Sequence, residues 1–125
     1  MDELLAKGIE RHREIYGDEG TRWREEFGNA HPEAIDLLMK ACFGSVYCRP
    51  GLDLRIRELC TVAALTVLGR WPQLKGHIGG ALRVGCTKEQ ISELLLQMHV
   101  YGGWPVALTA LDIAKEVFDE SDLDK

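Results

Sequence analysis

Residues 54–85 read LRIRELCTVAALTVLGRWPQLKGHIGGALRVG. From Leu54 to Leu68 the run holds no glycine or proline, and after Leu59 it is apolar apart from Thr61 and Thr66. Such a run spells a helix, and a helix apolar all round has to be buried all round. Asp53 stands where an N-cap belongs, and Gly69 can take the left-handed conformation that closes a helix. Pro72 suits the first turn of a second helix, which carries His77, Ile78, Ala81 and Leu82 before Gly85 ends it. Gly76, Gly79 and Gly80 predict close helix contact there, against a propensity cost of up to about 1 kcal/mol each. Glu58 and His77 thus sit on consecutive helices in an apolar setting, and a carboxylate meeting an imidazole in such a hairpin makes a proton-handling pair.

Upstream, Leu4, Leu5, Ile9, Ile15 and Tyr16 give an amphipathic first helix expected to stop at Gly17. The charged stretch 18–26, anchored by Trp23 and Phe27, reads as a loop or short helix. Pro32 opens a helix in which Ile35, Leu38, Met39, Cys42 and Val46 follow the helical period, and Arg49, Pro50 and Gly51 break it. Downstream, Thr87 with Gln90 forms a capping box ahead of Ile91, Leu94, Leu95 and Met98. After the interruption at 101–105, Pro105 starts a final helix bearing Val106, Ala110, Ile113 and Val117, ending near Phe118 and leaving a charged, frayed tail from Asp119. The expectation is an all-α, single-domain bundle of about six helices spanning residues 1–125, with no strand and no repeat.

A chain of 125 residues with 46% hydrophobic content suits one core, since two would each be too small to offset the entropy of ordering. The formal charge of −5 argues against a nucleic-acid partner. The acidic Met1, Asp2, Glu3 start is unlike a signal peptide, and no apolar run approaches the roughly 20 residues that cross a bilayer. A cytoplasmic protein without membrane contact is expected. The surplus apolar surface of the Leu59–Leu68 run points to self-association as a homo-oligomer.

Cys42, Cys48, Cys60 and Cys86 form no CxxC and lack zinc-site spacing, so reduced thiols are expected, with Cys60 packed in the core. No two histidines stand at i and i+4, and no metal is expected. His12 and His31 fall in polar settings and carry no site signal, while His99 reads as a packing or interface residue.

The run Arg49-Pro50-Gly51-Leu52-Asp53, then Arg55-Ile56-Arg57-Glu58-Leu59, Ala63-Ala64-Leu65, Leu68-Gly69-Arg70, Gly76-His77, Gly85, Thr87, Glu89, Ile91 and Tyr101-x-Gly103-x-Pro105-x-Ala107 resembles the carboxymuconolactone decarboxylase family. The resemblance covers roughly residues 43–118 and, more loosely, the first helix. It implies an all-α, alkylhydroperoxidase D-like fold assembled as a hexamer or trimer. It also implies removal of carbon dioxide from 4-carboxymuconolactone, in the protocatechuate branch of aromatic breakdown, without a cofactor. A second branch, the alkylhydroperoxidase D type, is a thiol peroxidase whose CxxC ends four residues before its histidine. With His77 set on that histidine, Arg70 and Gln73 occupy the two cysteine positions, so both redox sulfurs are missing. Glu58 departs the other way, matching the acid of the redox branch where decarboxylases often have a small polar residue.

Decarboxylation of such a lactone leaves an electron pair to be delocalised into a carbonyl and a carbon to be protonated. The resemblance implies His77 as the acid, although a single histidine on an apolar helix also fits a hydrogen-bonded core residue. Glu58 would orient and charge-stabilise it, or would simply favour the helix dipole near its start. Arg49, Arg55 and Arg57 offer guanidinium forks for a small-molecule carboxylate, as they would for surface acids. Tyr101 and Trp104 are candidates to line the pocket, with a core tyrosine at a tight turn as the alternative. Three readings follow: a cofactor-independent carboxy-lyase on a small cyclic acid, a thiol peroxidase working through a lone cysteine such as Cys60, and a non-catalytic oligomeric binding module.

Overall fold

The computed structural model describes residues 2–123, and among these every regular element is helical. Helices α1 (Glu3–Ala30) and α2 (Pro32–Leu37), a π-helical segment (Leu38–Val46), then α3 (Leu54–Leu68), α4 (Trp71–Arg83), α5 (Lys88–Gln97), α6 (His99–Gly102) and α7 (Trp104–Leu123) follow in order. The interruption expected at 101–105 narrows to Gly103, between the end of α6 and the start of α7. The chain forms two compact units, residues 1–54 and 55–125.

In the first unit α1 lies against the π-helical segment. Contact is so close at Gly8 that a Cβ there would come 1.8 Å from the Met39 carbonyl oxygen. Gly17 does take a positive φ of 64°, yet it kinks α1 rather than ending it: the helix resumes at once, with the Thr21 hydroxyl donating to the Gly17 carbonyl at 3.2 Å. The charged stretch after Gly17 is therefore helix. Past the kink, Trp23 and Phe27 stack one turn apart, centroids 5.2 Å apart. Ile15, Ile35, Met39 and Phe43 fill this unit's interior.

The second unit closes its helices with two Schellman motifs. At Gly69 (φ 70°) the Gly69 amide reaches Thr66 O at 3.1 Å and the Arg70 amide Leu65 O at 3.0 Å. At Gly85 (φ 106°) the same pattern joins Gly85 to Leu82 and Cys86 to Ala81. The Thr87–Gln90 capping box forms in full ahead of α5. Val62, Leu74, Ile78, Ala81, Ile91 and Leu95 join alanines of α7 in one core. Helix α7 runs five residues past Phe118 because Lys75 pairs with Glu116 and Glu120, Lys88 with Asp122, and Lys115 with Asp119, tying down the stretch expected to fray. Asp124 and Lys125, also placed in that tail, lie outside the described residues.

Helix α3 departs from the all-round burial its composition suggests. Only the i, i+4, i+8 stripe Glu58–Val62–Thr66 is fully enclosed, while Ile56, Cys60, Val67 and Leu68 are exposed. Cys60, expected in the core, faces outward, and Cys86 is the buried thiol. Gly76 and Gly79, expected to permit close helix contact, have open space where a Cβ would stand.

Candidate functional site

Glu58 occupies the enclosed stripe of α3 with no solvent exposure at all. A carboxylate in that position costs several kcal/mol unless it is paired, on the order of the penalty for any buried ion. The pairing comes from α4, whose core face is Leu74, Ile78 and Ala81 and whose flank is His77. His77 Nδ1 stands 2.9 Å from Glu58 Oε2, and the ring keeps 22% of its surface exposed. One partner is sealed and the other reaches the surface.

This geometry assigns work to each ring nitrogen. In the neutral Nδ1–H tautomer, His77 donates to Glu58 and Nε2 accepts a proton; in the imidazolium both nitrogens are donors and the carboxylate balances the charge. Either way the contact with Glu58 holds the imidazole in one orientation. The two residues singled out in the sequence are thus brought together.

The other candidates are spread out. Arg55 runs along the far end of α4, its Cδ 4.0 Å from where a Gly85 Cβ would be, with its carbonyl accepting from the Cys86 thiol at 3.4 Å. Arg57 is partly buried and gives its carbonyl to the Thr61 hydroxyl at 2.9 Å. Arg49 is exposed in the first unit. Tyr101 on α6 is 71% exposed, and Trp104 stacks on His99 with centroids 4.1 Å apart. His99 also edges a shallow groove whose rim includes Glu89 and Glu93, charges that repel a carboxylate.

Cys60 stands apart from the pair. Cys60 follows Glu58 by two residues, about 200° round the helix, on the opposite side of α3. In the first unit Cys48 accepts from Arg11 Nε at 3.4 Å and donates to the Phe43 carbonyl at 3.2 Å. The guanidinium of Arg11 is held above its ordinary range, first by that bond to Cys48.

Two residues shortly before His77 were noted only as replacements for two cysteines. Gln73 lies one turn before it on α4 and shares its flank, while Arg70 is the N-cap residue, whose backbone is non-helical. Both are exposed.

Among the described residues, then, every regular element is helical, and a sealed glutamate holds a partly exposed histidine. The chain belongs to the carboxymuconolactone decarboxylase family, which it matches over residues 32–116. It is 31% identical over 120 residues to the 4-carboxymuconolactone decarboxylase of Acinetobacter baylyi, covering 95% of this chain and 90% of that protein. It is 29% identical over 120 residues to the nitrosuccinic acid decarboxylase of Metarhizium robertsii, covering 94% and 82%. An uncharacterized 15.0 kDa protein of Paracoccus denitrificans is 40% identical over 87 residues, covering 68% of this chain and 65% of that protein.

Proposed function

We propose that the protein is a cofactor-independent carboxy-lyase acting on a small carboxylic acid such as 4-carboxymuconolactone, with His77 as proton donor. The observation that carries this reading is the 2.9 Å contact between His77 Nδ1 and the sealed Glu58 carboxylate. As the carbon–carboxylate bond breaks, carbon dioxide leaves and the bonding pair moves into a conjugated electron-withdrawing group. Nε2–H of the imidazolium then delivers its proton to carbon, and solvent restores it. Glu58 keeps the ring oriented and balances its charge throughout. The names of two relatives support the class: a carboxylactone and a nitro diacid each carry a group able to take up that electron pair.

The same reading has the protein assemble from copies of itself, as a trimer or hexamer, because Val67, Leu68, Val100, Tyr101, Trp104 and Leu108 are all left exposed on the second unit. It places the protein in the cytoplasm, in aromatic breakdown.

The test is the loss of absorbance of 4-carboxymuconolactone. Turnover should vanish in His77→Ala and persist when all four cysteines are replaced by serine. Turnover that survives His77→Ala but fails without the thiols overturns the lyase in favour of sulfur chemistry.

A further inference from the structure

We propose that the outer face of α3 is a two-fold seam between two copies of this chain, the helices running antiparallel with Ile56 against Val67 of the second copy and Cys60 against its Ala63. The proposal rests on the self-assembly in the reading above, not on the lyase chemistry, and adds to it the helix, the direction and the register.

Spacing defines the face. Ile56, Cys60, Ala63 and Val67 follow one another at intervals of four, three and four residues, the rhythm of a coiled-coil seam rather than of a broad core-facing stripe. At 100° per residue they fall within about 60° of arc, on the far side of α3 from Glu58, Val62 and Thr66. Ile56 is 38% and Val67 37% exposed, Cys60 is exposed and Ala63 half-buried. The nearest polar side chains of α3, Arg57 and Thr66, lie about 60° beyond the two edges of that arc. Such a face offers a charged or hydrogen-bonding ligand nothing to hold, and what fits it is another apolar helix.

The order of sizes says which helix. It reads bulky, small, small, bulky, the same from either end, and is centred between Thr61 and Val62 in the middle of a 15-residue helix. Two crossing helices are closest where they cross and diverge towards their ends, so small residues belong at the middle of both partners and bulky ones further out. A second copy of α3 meets this condition by construction, and a face that matches its own reverse is the isologous contact of a two-fold axis. Charge then sets the direction. Arg55 and Arg57 both stand near the start of α3, where the helix dipole is also positive, so parallel pairing would gather four guanidiniums at one end. Antiparallel pairing separates them by roughly 14–20 Å along the seam and sets each N-terminus against a C-terminus. A Cβ at Gly102 would stand 3.5 Å from the Val67 Cα, so α6 extends the surface at the end of the seam. Together with the exposed side chains of α6 and α7 the apolar area is roughly 700 Å², at about 150–250 Å² for a whole large side chain. That exceeds the few hundred Å² a monomer leaves uncovered and approaches the roughly 800 Å² each partner gives to a stable interface.

Two measurements on the full chain test the seam. Particle mass by light scattering and helix content by circular dichroism are compared in wild type and Cys60→Arg, a change that puts a charge at the crossing point while keeping a good helix former on an exposed position. Expected is a wild-type mass that is an even multiple of the 14.0 kDa chain, halved in Cys60→Arg at unchanged helix content. Separately, in a Cys60→Ser background, a short bismaleimide is added to Ile56→Cys, to Val67→Cys and to the double variant. Only the double variant should yield a covalent dimer, since Ile56 and its own copy stand roughly 16 Å apart along an antiparallel seam. Cross-linking of either single variant means a parallel pair and overturns the proposed direction. No cross-link in the double variant overturns the seam even where Cys60→Arg fails to fold. A wild-type trimer, which has no two-fold axis, or a mass unmoved in folded Cys60→Arg, sinks the seam and leaves self-assembly standing; a monomeric wild type sinks both.

Discussion

His12 in the first unit and His77 in the second are both withdrawn from water, and the contrast between them separates packing from chemistry. His12 is only 3% exposed, ringed by Tyr16, Trp23 and Phe43 with centroids 4.8, 5.9 and 5.0 Å away. Its neighbours are aromatic faces and edges, which reward burial of a flat ring. His77 is less buried, at 22%, but its Nδ1 meets a carboxylate that has no solvent of its own. Burial alone therefore does not single out a candidate site; the carboxylate contact and the open edge of His77 do.

The strongest way to break that contrast is to delete each ring in turn. His77→Ala should reduce kcat for the lactone by about 10³-fold, the usual scale for a general acid, and should also cost about 1.5–3 kcal/mol of stability by removing a hydrogen bond to a buried carboxylate. His12→Ala should leave kcat unchanged and instead open a cavity worth about 2–5 kcal/mol, read from urea midpoints. If activity tracks His12 and stability alone tracks His77, the assignment is reversed.

The two units also differ in what their glycines do. Gly8→Ala should destabilise the first unit by about 3 kcal/mol or more, because the new methyl would collide with backbone at Met39 rather than with a pliable side chain. Gly79→Ala in α4 meets only open space and should stabilise the protein by about 0.5–1 kcal/mol through helix propensity. Equal effects at the two positions would mean that α1 and the π-helical segment are farther apart than they stand here.

Between those two falls Glu58→Gln, which keeps the side chain's volume and a hydrogen bond to His77 but removes the charge. Replacing a charged acceptor by a neutral one forgoes about 1.4 kcal/mol, or roughly tenfold in kcat. A loss as large as that of His77→Ala would show that Glu58 does more than orient the ring. No loss at all would reduce it to packing.

Much of the second unit was legible in advance because its signals are local. Gly69 and Gly85 sit where the left-handed cap is needed, Thr87 and Gln90 are three residues apart, and Glu58 and His77 stand on consecutive elements separated by a short turn. What escaped depends on distant contacts. His12 looks polar from its neighbours Arg11 and Arg13, and Phe43, which covers it, arrives from thirty-one residues away. Cys60 sits in an apolar run, yet the burial of α3 is set by which stripe faces α4, and Glu58 claims that stripe. Gly17 carries a valid stop signal, but contact of the second half of α1 with α2, as at Gly28 against Ile35, favours a kink over a termination. The placement of Gln73 one turn before His77 was readable from helical spacing alone and was missed because Gln73 was weighed only as an absent cysteine.

The smallest expected effect lies at the start of α1, and it sharpens the contrast by giving the first unit an electrostatic contact to compare with that of Glu58. Asp2 accepts from the Leu4 amide at 2.7 Å and the Leu5 amide at 3.2 Å, and these bonds, that to Leu5 first, hold its carboxyl below the ordinary 3.8. A carboxyl whose pKa is lower folded than unfolded binds fewer protons in the native state, so its stabilisation is complete above about 3.8 and fades as pH falls through the lower folded value. Asp2→Asn keeps a capping oxygen that does not titrate. The difference in Tm between wild type and Asp2→Asn should therefore be flat from neutral pH down to the carboxylate range and move against the wild type below it, with other carboxylates cancelling in the comparison. A difference that instead grows towards neutral pH would mean the cap is not made by the ionised side chain.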